Sequence, residues 1–138
     1  MPTTPALTPV ERIAGVLVAF EALGVAALAG WQVVALGAGD TVSVASALAL
    51  IVLTVVGAVA VGSFAVAILR GQSWGRSGSI VVQLLLLAVA LGAVSGTYAD
   101  GGVALALAAP AFVVLVLLVL SVRAAARREP GEPDSQPH

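Results

Sequence analysis

Polar residues are so sparse along this chain that four long apolar runs stand out, over 13–36, 42–69, 80–98 and 103–122. A helix of about 20 apolar residues crosses a hydrocarbon core of about 30 Å, so each run predicts one transmembrane helix. The separators 37–41, 70–79 and 99–102 are short and hold Gly, Ser, Thr, Asp and Arg. Strict apolar–polar alternation, the mark of a membrane β-barrel, is absent. Backbone amides in lipid must then be satisfied within each segment, which means helices. The expected fold is all-α, a polytopic four-transmembrane-helix bundle over 10–123. A flexible head (1–9) precedes it and a disordered tail (124–138) follows. The tail ends in EPGEPDSQPH, with three prolines, three acids and nothing to pack.

Local signals refine the helix ends. Thr8, Pro9 and Glu11 form a capping-box pattern for the first helix. Pro110 lies inside the fourth run, where it cannot donate to the Ala106 carbonyl, so a mild kink is expected. Ala27-Leu28-Ala29 before Gly30 looks like a signal-peptidase site. Glu21 interrupts the run before it and apolar sequence continues after it, so the first run reads as an uncleaved span.

Charge gives the orientation. The basic residues are all arginine: Arg12 before the first span, Arg70 and Arg76 between the second and third, and Arg123, Arg127 and Arg128 after the fourth. The other two loops carry Asp40 and Asp100. The positive-inside rule puts both termini in the cytoplasm and suggests the cytoplasmic (inner) membrane of a bacterium. Trp31 and Tyr98 then fall near the outer interface and Trp74 at the inner one, where amphipathic rings prefer to lie. Arg12, Arg70, Trp74, Arg76, Arg123, Arg127 and Arg128 are the expected inner-interface anchors. Their candidate partners are the lipid bilayer itself and, for Arg123, Arg127 and Arg128, anionic headgroups at about 1 kcal/mol each, beside the plainer reading of a stop-transfer cluster that only fixes topology.

Composition narrows the chemistry. The 138 residues are 60% hydrophobic and 9% charged, with mean hydropathy +1.12, against roughly 45–50% and 25% in soluble domains. There is no cysteine, which excludes thiolate nucleophiles, disulfides and iron–sulfur ligation. The one histidine is His138, the last residue, so no zinc or haem site is expected. A net charge of −1 argues against nucleic acid. No metal and no cofactor are expected, and an enzyme would need a base, an orienter and an electrophile that this sequence does not offer.

One carboxylate sits deep in a span. Glu21 lies nine residues past Arg12, about 13 Å along a helix, and an intramembrane carboxylate is a functional candidate by default. Gln83 lies seven residues past Arg76 and Ser63 seven before Arg70, so all three share one depth and can meet as a polar layer. A neutral Glu21 carboxyl can donate to the Gln83 carbonyl and take a bond from its amide, a pairing of about 0.6–2 kcal/mol in lipid. Gln32 is eleven residues after Glu21, about 20° off the same helical face. Ala14, Leu17, Val18, Glu21, Val25, Leu28 and Gln32 therefore form the face expected to point inward. Gly92 and Gly96 make a small-xxx-small pair suited to close helix packing. They lie about 180° from Gln83 around the third helix. Ala22, Ala26 and Gly30 make a similar stripe on the first. Gly71, Gly75 and Gly78 are expected to let the chain turn between spans two and three.

Two resemblances bear on function. Leu69-Arg70-Gly71-Gln72-Ser73-Trp74-Gly75-Arg76-Ser77 followed by Gln83-Leu84-Leu85 resembles the R-G-x-x-W-A/G-R … Q-L-L pattern of small actinobacterial four-span membrane proteins. That resemblance implies a membrane location and no activity. The matched positions are Arg70, Trp74, Arg76 and Gln83, and the chain departs from the pattern at Gly78, where proline is usual. A carboxyl in the first of four spans is also similar to the arrangement in small multidrug resistance exporters. Spans one to three here, however, offer only Phe20, Trp31 and Phe64 to line a drug site. The expected function is a structural or accessory membrane role, alone, as a homo-oligomer or in a larger membrane complex. The alternative is a proton-coupled small-molecule transporter or channel subunit using Glu21.

Overall fold

A computed structural model describes residues 6–39, 41–97 and 99–128. Asp40, Tyr98 and the tail from 129 onward, all of which figure in the expectations above, lie outside the described residues. Among those described there are four helices and no strands: α1 (Pro9–Gly37), α2 (Val44–Leu69), α3 (Ser73–Ser95) and α4 (Gly101–Ala126). Each is long and apolar enough to cross a membrane, and together they make a four-helix membrane bundle.

The helix ends follow from side-chain chemistry. Thr8 accepts from Glu11 N at 3.2 Å and Glu11 Oε2 accepts from Thr8 N at 2.7 Å, which closes the capping box with Pro9 in the first turn. Ser43 caps α2. Asp100 caps α4 by accepting from Gly102 N at 2.8 Å and Val103 N at 3.2 Å. The largest difference from the sequence reading is at α3. It starts at Ser73, so the connection from α2 is only Arg70, Gly71 and Gln72. Gly71 turns the chain at φ +73°, a conformation open to glycine without steric cost. Its N–H meets Ile68 O at 2.9 Å and Gln72 N–H meets Ala67 O at 2.8 Å. Trp74, Gly75, Arg76 and Gly78 thus sit on the helix rather than in a loop, and α3 ends at Ser95, three residues short of the expected end. Helix α4 runs on through Pro110.

Packing contacts run around the square α1–α2–α3–α4 and back to α1. Successive helices are antiparallel, so α1 and α3 are parallel and stand on one diagonal. The start of α1, the α2–α3 turn and the end of α4 share one end of the bundle. Arg128 Nη1 donates to Ala6 O there at 3.5 Å. All six arginines lie at this basic end.

The core lies in the basic half. Ala14, Val18, Val61, Ala65, Ile68, Val114 and Leu118 form it, each at most 7% exposed. Close approach between α2 and α3 depends on glycine. A Cβ on Gly75 would meet Ala67 Cβ at 2.5 Å and the backbone atoms Ile68 N and Phe64 O at 2.8 Å. A Cβ on Gly78 would meet the Phe64 ring at 2.5 Å, so glycine lets α3 close on that ring. The far half differs: its buried residues are Ala29, Ala90, Ala104 and Ala111, and α2 buries nothing before Val61.

The inward face expected on α1 holds for Ala14 and Val18, with Leu17, Glu21, Val25 and Gln32 half-buried. Leu28 does not belong to it, being 52% exposed, and Ala29 takes its place. The inward line runs Ala14, Val18, Glu21, Val25, Ala29, Gln32, five steps over 18 residues, which is the 3.6-residue period of a straight helix.

Candidate functional site

Two polar contacts cross the α1–α3 diagonal. The deeper one joins the candidates Glu21 and Gln83: Gln83 Nε2 donates to Glu21 Oε2 at 2.6 Å. Gln83 is fully buried and Glu21 half-buried. Both Glu21 Oε1 and Gln83 Oε1 are shielded and have no hydrogen-bond partner among the described residues. The second contact lies one layer toward the basic end, where Arg76 Nη1 reaches Glu11 Oε1 at 3.2 Å with both side chains shielded. Glu11, 5% exposed, also takes bonds from Thr8 N and Thr8 Oγ1 through its other oxygen. One carboxylate thus caps α1 and holds α3.

Several expected members stand elsewhere. Ser63 is not part of the polar layer. It is exposed, and its hydroxyl donates to its own helix at Val59 O, 2.7 Å. Its place around α2 turns it outward, because Val61 and Ala65 take the inward face. Ser63 instead borders a surface groove with Arg70, Gln72 and Trp74. Gln32 is half-buried on α1, its Oε1 without a partner, and eleven residues (about 16 Å) from Glu21. Gly92 and Gly96 are exposed and no helix approaches them, so the bundle makes no use of that pair. The close approaches fall at Gly75, Gly78 and Gly15, the last against Leu69.

Among the expected anchors, Arg12, Arg70, Arg123, Arg127 and Arg128 are exposed at the basic end. Arg76 differs: its guanidinium is turned inward to Glu11 and is not a free headgroup contact. Trp74 is 52% exposed, donates from Nε1 to Gln72 Oε1 at 3.0 Å, and meets Phe64 edge-on with ring centroids 5.8 Å apart. Trp31, 70% exposed, sits near the far end of α1.

Sequence reasoning passed over Ser79, which is 1% exposed with its Oγ unpartnered, and the buried Ser121, which donates to Leu118 O at 2.7 Å. The signal for Ser79 was present. It lies four residues before Gln83 and three after Arg76, on the same helical stripe. Among the described residues no cluster of three or more His, Cys, Asp or Glu exists.

Compared with known proteins, the chain matches no family profile, no curated sequence and no solved structure.

Proposed function

We propose that this chain is a structural or accessory component of a bacterial cytoplasmic membrane, with both termini on the cytoplasmic side and the basic end facing anionic lipid. The supporting observation is the filled interior of the basic half. Ala14, Val18, Ala65, Ile68, Val114 and Leu118, each 0–2% exposed, plug the space between the helices. A solute crossing one copy of the bundle would have to pass that plug. The deep polar groups join α1 to α3, which is a use in assembly. The transporter or channel-subunit reading draws its support from the unpartnered carboxyl oxygen of Glu21. It would require several copies to build a path.

Two experiments test this. The chain has no cysteine, so Thr41→Cys and Gln72→Cys each introduce a unique thiol. An impermeant maleimide on intact cells should label the first and spare the second, and the reverse pattern would refute the orientation. On native gels, Glu21→Gln should leave the chain in the same membrane assembly as wild type. Loss of a solute flux with an intact assembly would instead favour transport.

A further inference from the structure

Four shielded side-chain oxygens lack partners among the described residues: Gln32 Oε1 far along α1, and Glu21 Oε1, Gln83 Oε1 and Ser79 Oγ on neighbouring turns of the α1–α3 diagonal. Glu21 and Gln83 are brought together by their hydrogen bond. Ser79 is one turn before Gln83 on α3. Helical side chains lean toward their own N-terminus. On both α1 and α3 that direction is the basic end, so the long Glu21 and Gln83 side chains lean toward the level of Ser79.

The behaviour of Ser79 is a second, separate observation. Hydroxyls in transmembrane helices commonly bond back to a carbonyl of the preceding turn. Thr54, Ser63, Ser95 and Ser121 all do so here, at 2.7–2.8 Å. Ser79 makes no such bond although it is 1% exposed. A fully shielded hydroxyl that forgoes the easiest acceptor is directed at something else.

We propose that Glu21 Oε1, Gln83 Oε1 and Ser79 Oγ form a site for one small monovalent cation, either a proton or an ion of sodium size. The chemistry is that of a hard cation: carboxylate, amide carbonyl and hydroxyl are all oxygen ligands. Charge sets the valence. The site carries one carboxylate, and the nearest arginine on α3, Arg76, is engaged by Glu11 on α1. Arg70 in the α2–α3 turn and Arg123 on α4 sit at the exposed basic end. One positive charge neutralises the site, whereas a divalent ion would leave an uncompensated charge at depth. A proton placed on Glu21 Oε1 and donated to Gln83 Oε1 closes an acid–amide ring and satisfies both oxygens at once. A sodium-sized ion would draw on all three. This inference is independent of the accessory reading.

The test uses the full chain in phosphatidylcholine/phosphatidylglycerol vesicles, with choline chloride or sodium chloride as the only salt. Infrared spectra report the protonated-carboxyl band, and unfolding in the same lipid reports binding. A proton occupant gives a carboxyl band that ignores sodium and vanishes in Glu21→Gln. A sodium occupant removes that band as salt is exchanged. It also raises the folded-to-unfolded ratio about 100-fold at 100 times its dissociation constant. Ser79→Ala should weaken the sodium response and leave the proton band intact. The proposal is overturned if folded wild-type protein shows neither a protonated-carboxyl band nor any sodium dependence. A sodium response that persists in Glu21→Gln, or in the Glu21→Gln/Ser79→Ala pair, overturns it equally.

Discussion

The basic half of the bundle and the far half are made from the same four helices, and the charged residues of those helices all lie in the basic half. Yet the basic half buries Val18, Val61, Ile68, Val114 and Leu118, and the far half buries only alanines. Large apolar side chains are plentiful in the far half: Trp31, Val52, Leu53, Leu91 and Leu105 are each more than half exposed. In lipid this is expected. Acyl chains are as apolar as leucine, so burying leucine gains little. Helices meet where something other than apolarity joins them. The basic half has such features: the Glu11–Arg76 pair, the Glu21–Gln83 bond, and glycines that let α2 and α3 touch. The far half has neither a side-chain tie between helices nor a close glycine contact among its described residues.

The comparison can be broken most sharply with glycine. Gly75→Leu should destabilise the bundle by about 3 kcal/mol or more, because the atoms it meets include backbone that cannot rotate away. Gly92→Leu, with nothing within 4 Å, should change stability by less than about 0.5 kcal/mol. Denaturation of the two variants in mixed micelles, followed by helical circular dichroism, checks both; equal losses would remove the distinction between the halves.

Next comes the ion pair. Arg76→Gln leaves Glu11 shielded and uncompensated and should cost about 2 kcal/mol. That is less than the 3–5 of a pair deep in a protein, because this one lies at the end of the bundle. A double-mutant cycle with Glu11→Gln should return a coupling of about 1 kcal/mol or more. A coupling near zero would mean the two charges act separately.

Leu118→Ala opens a cavity in the basic half. With little transfer contribution in lipid, the expected loss is about 2 kcal/mol, the lower end for such truncations. Leu105→Ala, at a site 68% exposed, should be close to neutral, and thermal melts of the pair in one detergent test this. The smallest effect belongs to the far end. Asp100→Ala removes the α4 cap for about 1 kcal/mol. Amide exchange should then rise around Gly102 and Val103 and stay unchanged near Leu118.

Much of this was legible from the chain. Hydrophobic length alone marks four helices, because lipid leaves the backbone no alternative. The Thr8–Glu11 box and the Glu21–Gln83 encounter could be read from spacing and depth. Rotation about each helix axis was harder. Ser63 shares the depth of Glu21 and faces away, since an all-apolar helix such as α2 has no amphipathic stripe to fix its rotation. The start of α3 is hard to read because Ser73, Gly75, Arg76 and Gly78 look like loop by propensity, whereas in the bundle Gly75 and Gly78 face α2 and Arg76 reaches α1. The Glu11–Arg76 pair joins residues 65 apart in sequence, and an arginine at a helix start carries no local mark that separates an ion pair from a topology signal.

The diagonal bond between Glu21 and Gln83 spans 62 residues of sequence. At a synthesis rate of about 5–20 residues per second, α1 waits about 3–12 s before its partner glutamine leaves the ribosome. For that interval the chain holds a membrane-depth carboxyl whose eventual neighbour does not yet exist. The insertion machinery, water or headgroups must accommodate it, and the α1–α3 diagonal stays open until the third helix arrives. A chain stalled before Gln83 should therefore hold α1 against α2 with the Glu21 carboxyl still unpaired.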